Sequence, residues 1–477
     1  MNTFATRLGT LALAIGLAGC ANLMPPTQVD AAVAPQWQAP LPHQGTVTQL
    51  AQWWQQQGDP LLVELIDAAQ TVSPSVAQAL ARVDAARATR AAANASLLPS
   101  LDGAYTASRG VTQPNVPLAT TQTLGLQAAW ELDLVGANRA VSRAADAQVQ
   151  GVQAQWHDAR VSVAAEVAST YYSLGTCTNL LTLARQNLAS RQETARLAEL
   201  SAQAGFTTAA TAALARASAA DASSQATQQA TSCELNVKAL VALTGWPEQD
   251  LKKKLALAHA APGQSAPFLI ANVPAIPDVP AQALTQRPDV FAAERDVVVA
   301  SAQVGSAKAQ RYPRLSLNGS IGTLRSSSQG STSSLDTWSF GPLALTLPLF
   351  DGGQRAADVV AAQANYTQAV SVYRGKVRQA VREVEDALVK LQSAHDRRSD
   401  AEVAASGFAQ SLQATQARYS QGLASLVELE DARRSALAAQ SAQVTLALDH
   451  RLAWVALYRA LGGGFEANAA LAGSPAS

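Results

Sequence analysis

The sequence of 477 residues predicts an α+β membrane protein. Four strands per chain would be pooled by three copies into a trimeric 12-stranded β-barrel, continued by a long α-helical barrel, on an internal tandem repeat. Three observations predict this. Gly136–Ala204 and Gly352–Ser420 are proline-free stretches of 69 residues each. Runs of about ten residues ahead of them alternate apolar and polar side chains, the period of a strand. The landmarks of the first half return in the second at a nearly constant offset.

Composition narrows the function classes. Lys+Arg and Asp+Glu are both 35, so the chain lacks the basic excess of a nucleic-acid binder. Aromatics are 5% and charged residues 15%, and alanine dominates the 48% that is hydrophobic, which suits thin, closely packed helices. Three cysteines are too few for a disulfide-dense fold or a Cys-built zinc domain. The histidines (His43, His157, His259, His395, His450) show no ligand spacing. No phosphate loop, dinucleotide fingerprint or nucleophile elbow is present. The sequence therefore predicts no catalytic residues, no metal and no cofactor beyond a covalent lipid. Glu131 and Asp133 lie close together at a strand end, beside no base, and read as lumen or rim residues.

Residues 1–19 read as a secretory signal: Arg7, an apolar core from Leu11 to Ala18, then Leu17-Ala18-Gly19-Cys20. That ending resembles the lipobox of bacterial lipoproteins, where the cysteine becomes the lipid-bearing first residue. Ala21 is compatible with the outer membrane. Residues 20–60 then form a lipid-anchored N-terminal segment. Past Cys20 no run of 18 apolar residues follows, so a membrane crossing has to be a closed β-barrel.

The first repeat is expected at 61–245. It holds a helix over Leu61–Leu97 interrupted near Ser73-Pro74, strands at about 100–109 and 121–134, the long helix 136–204 and a return helix 207–244. A linker, 246–279, leads to the second repeat, 280–462. There a helix over Pro280–Arg311 precedes strands at about 313–323 and 337–350, the long helix 352–420 and a return helix 425–461. A tail, 463–477, ends the chain. Leu98-Pro99-Ser100-Leu101 answers Tyr312-Pro313-Arg314-Leu315, and Gly205 answers Gly422. Leu124, Leu126, Ala128, Trp130 and Leu132 alternate with Gln127, Ala129 and Glu131, and Leu343, Leu345, Leu347 and Leu349 with Ala344, Thr346 and Pro348. Such runs fit strands that are apolar towards lipid and polar towards a lumen, and equally half-buried soluble strands. The Ser-, Gly-, Pro- and Thr-rich segments Arg109–Thr120 and Leu324–Asp336 read as loops. Trp130, Trp338 and Phe340 read as interfacial aromatics. Four strands cannot close a barrel, since about eight is the minimum, so strands must be shared between copies.

Cys177 and Cys233 each lie 28 residues from the Gly205 turn. Antiparallel helices place equidistant residues opposite one another, and the exported compartment is oxidising, so a disulfide is expected between them. Ala394 and His450 hold the matching places in the second repeat.

The lipobox, the two repeats, Leu349-Phe350-Asp351-Gly352-Gly353, Arg418-Tyr419-Ser420-Gln421-Gly422 and Leu429-Glu430-Asp431-Ala432-Arg433 together resemble the outer-membrane factor (TolC-like) family, in its lipoprotein branch, from about Ala51 to Gly464. The resemblance implies the outer-membrane exit duct of a tripartite efflux pump, passing small toxic compounds outward. It implies a homotrimer in outer-membrane lipid with its helices in the periplasm, a periplasmic adaptor (membrane fusion) protein docked tip to tip, and an inner-membrane transporter, of the RND type. It places Asp431 and Tyr419 at a periplasmic gate, with Arg418 and Arg434 as pairing partners and Val427 as an apolar ring. Glu430 and Arg433 depart from the commonest residues of that stretch. The charged run Glu428, Glu430, Asp431, Arg433 and Arg434 is otherwise a solvated helix face. Gly205, Phe206, Thr207, Gly422 and Leu423 form two tips, with Phe206 and Leu423 either offered to a partner or turned inward. A type I protein-secretion duct is the nearest alternative. A lipid-anchored structural coiled coil is the alternative from another class, but it has no use for the alternating strands.

Overall fold

A computed structural model describes residues 23–31, 38, 53–56, 58–111, 117–260, 284 and 287–465. The expected signal peptide, Cys20, most of the 261–286 segment and the tail beyond 465 lie outside the described residues. The elements, in chain order, are α1 (Trp53–Gln56), α2 (Pro60–Val72), α3 (Pro74–Ala95), β1 (Ser100–Gly110), β2 (Ala119–Leu132), α4 (Ala137–Gln203), α5 (Ala209–Thr244), α6 (Glu248–Ala260), α7 (Pro288–Ala309), β3 (Arg314–Ser328), β4 (Ser331–Thr346), α8 (Gln354–Ser420) and α9 (Leu426–Ala460). α4 and α8 have 67 residues each, about 100 Å of helix at 1.5 Å per residue. The chain compacts into two units. One holds Leu80–Gln153 and Phe291–Lys376, and the other holds Ala154–Val290 and Val377–Ser477 with Val33–Ala79. Each unit therefore draws on both of the expected repeats.

The first unit contains an antiparallel sheet of order β1-β2-β3-β4. Its register settles which side chains share a face. Gly103 pairs with Leu126, Leu126 with Ile321 and Ile321 with Trp338. Leu101, Ala128, Gly319 and Phe340 form the next row, and Leu132, Leu315 and Leu345 the last. This face is apolar over Leu315–Ile321, about 20 Å along the strand, and Asp336 enters in the next row beside Tyr105, Leu124 and Thr323. The opposite face carries Asp102, Gln127, Glu131, Ser316, Asn318 and Ser320. The apolar side chains are not covered by helices: Leu126 is 47% and Leu345 65% exposed, and Trp338 and Phe340 more so. Among the described residues, the outer edges of β1 and β4 pair with no further strand.

Three expectations need correcting. The segment Leu324–Asp336 is not a loop, because β3 and β4 stay paired down to Ser328 and Ser331 around a two-residue turn, Gln329-Gly330, both at positive φ. Serine and threonine tolerate a solvated strand, but they carry no apolar alternation to announce one. β4 also stops at Thr346 rather than near 350, ahead of Pro348, which has no N–H to offer a ladder. The supposed linker at 246–279 begins with a helix, α6, which has acids in its first turn and buries Leu251 and Leu255 one turn apart. Just past β2, Asp133 accepts from the Arg139 N–H at 2.9 Å and from Arg139 Nε at 3.2 Å, fixing the start of α4. Asp351 does the same for α8 through Gly353 and Arg355.

One irregularity keeps the apolar face continuous. Between the pairs Leu317–Leu343 and Gly319–Phe340, β4 has one extra residue, a β-bulge. It switches the outward positions from even (Trp338, Phe340) to odd (Leu343, Leu345).

The second unit is cored where α2, α4, α5, α6, α8 and α9 meet. Leu62, Leu65, Val167, Leu240, Val384, Leu388 and Leu457 are buried there. Trp53 stacks on Tyr458 with centroids 5.0 Å apart, and Trp54 meets the same ring edge-on. α4 and α5 are joined by a Cys177–Cys233 disulfide with Cα atoms 5.5 Å apart. In the matching places of the second half, Ala394 is buried and His450 Nε2 accepts from Trp454 Nε1 at 3.2 Å. Burial, then Arg398, Arg451 and His395, hold His450 below its ordinary pKa. His157 is likewise lowered, by burial and then by Arg160.

Two outcomes follow from this core. The unfolded chain takes up protons at both histidines first, at about pH 6.5. The stability they contribute is therefore complete above that value and is lost as pH falls below it towards the lower folded values. Thermal melts of the purified protein should show Tm falling between pH 7 and 5, and a His157→Gln, His450→Gln double variant should flatten that slope. Denatured without reductant, Cys177 and Cys233 should take up no maleimide, and both should label after reduction.

Candidate functional site

Two helical hairpins end in the same turn. α4 closes with Gly205 at φ +80°, and α8 with Gly422 at φ +76°. In each, the glycine N–H bonds three residues back (Ala202 O, Tyr419 O) and the next N–H five residues back (Ser201 O, Arg418 O). This is the Schellman pattern, and only glycine adopts its left-handed conformation at no steric cost. Thr208 and Ser425 then cap α5 and α9, the latter in a reciprocal box with Glu428. The Ser425 N–H and hydroxyl hold the Glu428 carboxyl below its ordinary pKa. Thr207 is half-buried between the glycine and the cap. Phe206 and Leu423, one after each glycine, are 86% and 64% exposed, so neither turns inward.

The gate candidates separate into two groups. Arg418 Nη2 donates to Leu423 O at 3.0 Å and braces its own turn, rather than reaching a carboxylate. Tyr419 packs on a small apolar cluster of Ala195, Ala198, Ala215, Leu426 and Leu429. Val427, Asp431 and Arg434 are spaced i, i+4, i+7 along one exposed face of α9. Arg434 pairs with Asp431 on that same helix, so within one chain it latches nothing across helices.

The reading of 428–434 as one solvated face fails at two residues. Arg433 has only 5% exposure. Its Nη1 donates to Glu430 at 2.8 Å, and its Nη2 donates to Ser190 Oγ and Thr194 Oγ1, each at 2.8 Å. Arg191 Nη1 lies 3.2 Å from the other Glu430 oxygen and donates to Ser218 Oγ at 2.7 Å. Ser218 Oγ donates to Glu430 at 2.7 Å. One carboxylate thus holds two guanidiniums and ties α4, α5 and α9 together just behind the tips. The available signal is the stripe Leu426, Leu429, Arg433, Ala436, which follows the helical period and is buried throughout.

An outward apolar sheet face, a polar opposite face and paired helical hairpins of this length define a membrane channel component. A family model described as "Outer membrane efflux protein" matches residues 65–246 and 279–463, and the chain belongs to that family. It is 31% identical over 469 residues to the outer membrane protein OprJ of Pseudomonas aeruginosa, covering 96% of each chain. It is 30% identical over 416 residues to the solvent efflux pump outer membrane protein SrpC of Pseudomonas putida, covering 86% of each. The crystal structure of a membrane protein from Pseudomonas aeruginosa matches it with a TM-score of 0.80 at 30% identity, over 93% of this chain and 100% of that one. The protein is an outer-membrane component of efflux systems, with its helical part in the periplasm, and belongs to a family of channels rather than enzymes.

Removing Glu430 leaves two buried guanidiniums unpaired, a loss of about 3–5 kcal/mol. Glu430→Ala should lower the Tm by several degrees, whereas Asp431→Asn, at an exposed pair, should leave it nearly unchanged. Calorimetry of both purified variants checks the contrast.

Proposed function

We propose that three copies pool their strands into a 12-stranded barrel in the outer membrane and their helices into a periplasmic tunnel, forming a passive exit duct. The observation that carries this is the four-stranded sheet, apolar and exposed on one face and, among the described residues, unpaired at both edges. In hydrocarbon such edges are not tolerated, and closure with identical copies removes them. In this reading the chain is two copies of one unit, each giving two strands and one long hairpin, and a lipid on Cys20 adds a second membrane attachment. A periplasmic adaptor engages the tips at Gly205, Phe206, Thr207, Gly422 and Leu423, which is supported by the exposure of Phe206 and Leu423. An inner-membrane transporter of the RND type supplies the energy. Three copies of Asp431 near one axis make an acidic ring that favours cations at the periplasmic mouth, with Val427 one turn away and Tyr419 fixing the helix behind it. The cargo is small toxic compounds or drugs, selected by the transporter rather than by the wall.

Purified protein should run with the mass of a trimer and conduct in planar bilayers, and Asp431→Asn should weaken cation preference. Phe206→Asp with Leu423→Asp should abolish cross-linking to the adaptor and resistance in cells while leaving conductance intact. A monomer, or a bilayer without conductance, would overturn the duct.

A further inference from the structure

We infer that the hairpin-tip end of the sheet carries a binding surface for the phosphate groups of outer-leaflet lipid headgroups, with Arg109 and Arg325 as its ligands; this rests on the barrel reading above. The register places both arginines. Arg109 pairs with Thr120, Thr120 with Ser327 and Ser327 with Thr332. Arg325 lies between Gln122 and Ser334, in line with Ala107. Directly opposed residues share a face, so both arginines project from the face that carries Leu101, Leu126, Ile321 and Trp338.

Their height is set by the same ladder. The last row with large apolar side chains is Tyr105, Leu124, Thr323 and Asp336. Arg325 is one row beyond it and Arg109 two rows, about 7 and 13 Å further along the strands. The two are two strands apart, about 10 Å. They stand where the hydrocarbon ends and headgroups begin, at the end of the sheet away from its junctions with the helices.

At the hairpin-tip end of the sheet, charge is confined to that face. In the rows of Arg325 and Arg109 and between them, the opposite face carries Ser108, Thr121, Ser326 and Ser333, with no charged residue. At the other end of the apolar band, the row Leu132, Leu315, Leu345 holds no cation. Both arginines are exposed, and among the described residues no carboxylate lies within 4 Å of either guanidinium. Asp336, the acid on this face, is diagonal to Arg325 and makes no such pair. The surrounding Thr120, Gln122, Ser327, Thr332 and Ser334 offer hydroxyl and amide donors. Unpaired guanidiniums among neutral donors, directly above an apolar band, match a phosphate whose acyl chains lie below it. The planar fork of arginine suits a phosphate bidentately.

The test uses the full-length lipidated protein in detergent. Its affinity for lipid A is compared by native mass spectrometry with its affinity for the same lipid stripped of phosphates. The wild type should prefer the phosphorylated lipid by about tenfold, and an Arg109→Gln, Arg325→Gln double variant should lose that preference. A double variant that keeps the preference overturns the proposal, and so does release of bound lipid A by millimolar inorganic phosphate, which would mark a site for free anions. Quenching of Trp338 by brominated acyl chains, taken as the difference from Trp338→Phe, reports separately on the barrel. If Trp338 is not quenched, the barrel itself fails and this surface with it. If it is quenched while the preference survives, only the arginine assignment falls.

Discussion

The edges of the sheet govern the rest of the molecule. β1 and β4 each present an outer row of backbone N–H and C=O groups that pairs with no further strand among the described residues. Water can satisfy such groups, whereas hydrocarbon leaves each at a cost of several kcal/mol. A sheet that is apolar on one face needs to enter the bilayer, yet it cannot do so with its edges bare. Closure with identical copies, as proposed above, would meet that requirement, and it makes the low aromatic content intelligible. The strands need bulk on one face only, and the long helices need small side chains so that many of them can lie side by side.

The helical hairpins meet a different demand. A 67-residue helix cannot be specified by hydrophobic contact alone when its faces are mostly alanine and polar residues. Two devices fix the first hairpin in register: a covalent tie between Cys177 and Cys233, and the Glu430 cluster that joins it to α9. A buried ionic cluster is a poor source of net stability but a strict specifier of geometry, since any slip of one helical turn strands a charge. The neighbouring pair Asp431–Arg434 lies in solvent and imposes no such constraint. Adjacent residues on one helix are thus buried and tied to other helices in one case and left in solvent in the other.

Much of this was legible in the sequence because period and spacing report directly on geometry. Proline-free length gave the long helices to within a few residues, and Leu124 to Leu132 announced a strand by alternation. Equal distances from Gly205 brought Cys177 opposite Cys233. What escaped had weak or misleading local signals. Ser326–Ser334 is uniformly polar, so its hairpin is specified by backbone pairing and the Gln329-Gly330 turn rather than by alternation. α6 hid behind proline- and glycine-rich neighbours. Arg433 reads as a solvated charge by its residue type, whereas its place on the Leu426–Ala436 stripe marks it as buried. The partner of Asp133 stands six residues further on, in the helix, a pairing that strand alternation does not report.

The bulge in β4 also bears on how such a sheet can change length. Side chains alternate with a period of two, so losing one residue within a strand exchanges inside and outside for everything on one side of the loss. At Gly341-Pro342 the ladder already holds a surplus residue, and removing it would restore regular pairing with Trp338, Phe340 and the old Leu343 and Leu345 still facing outward. There the strand can shorten by a single step without inverting its wetting, a freedom the rest of its length lacks.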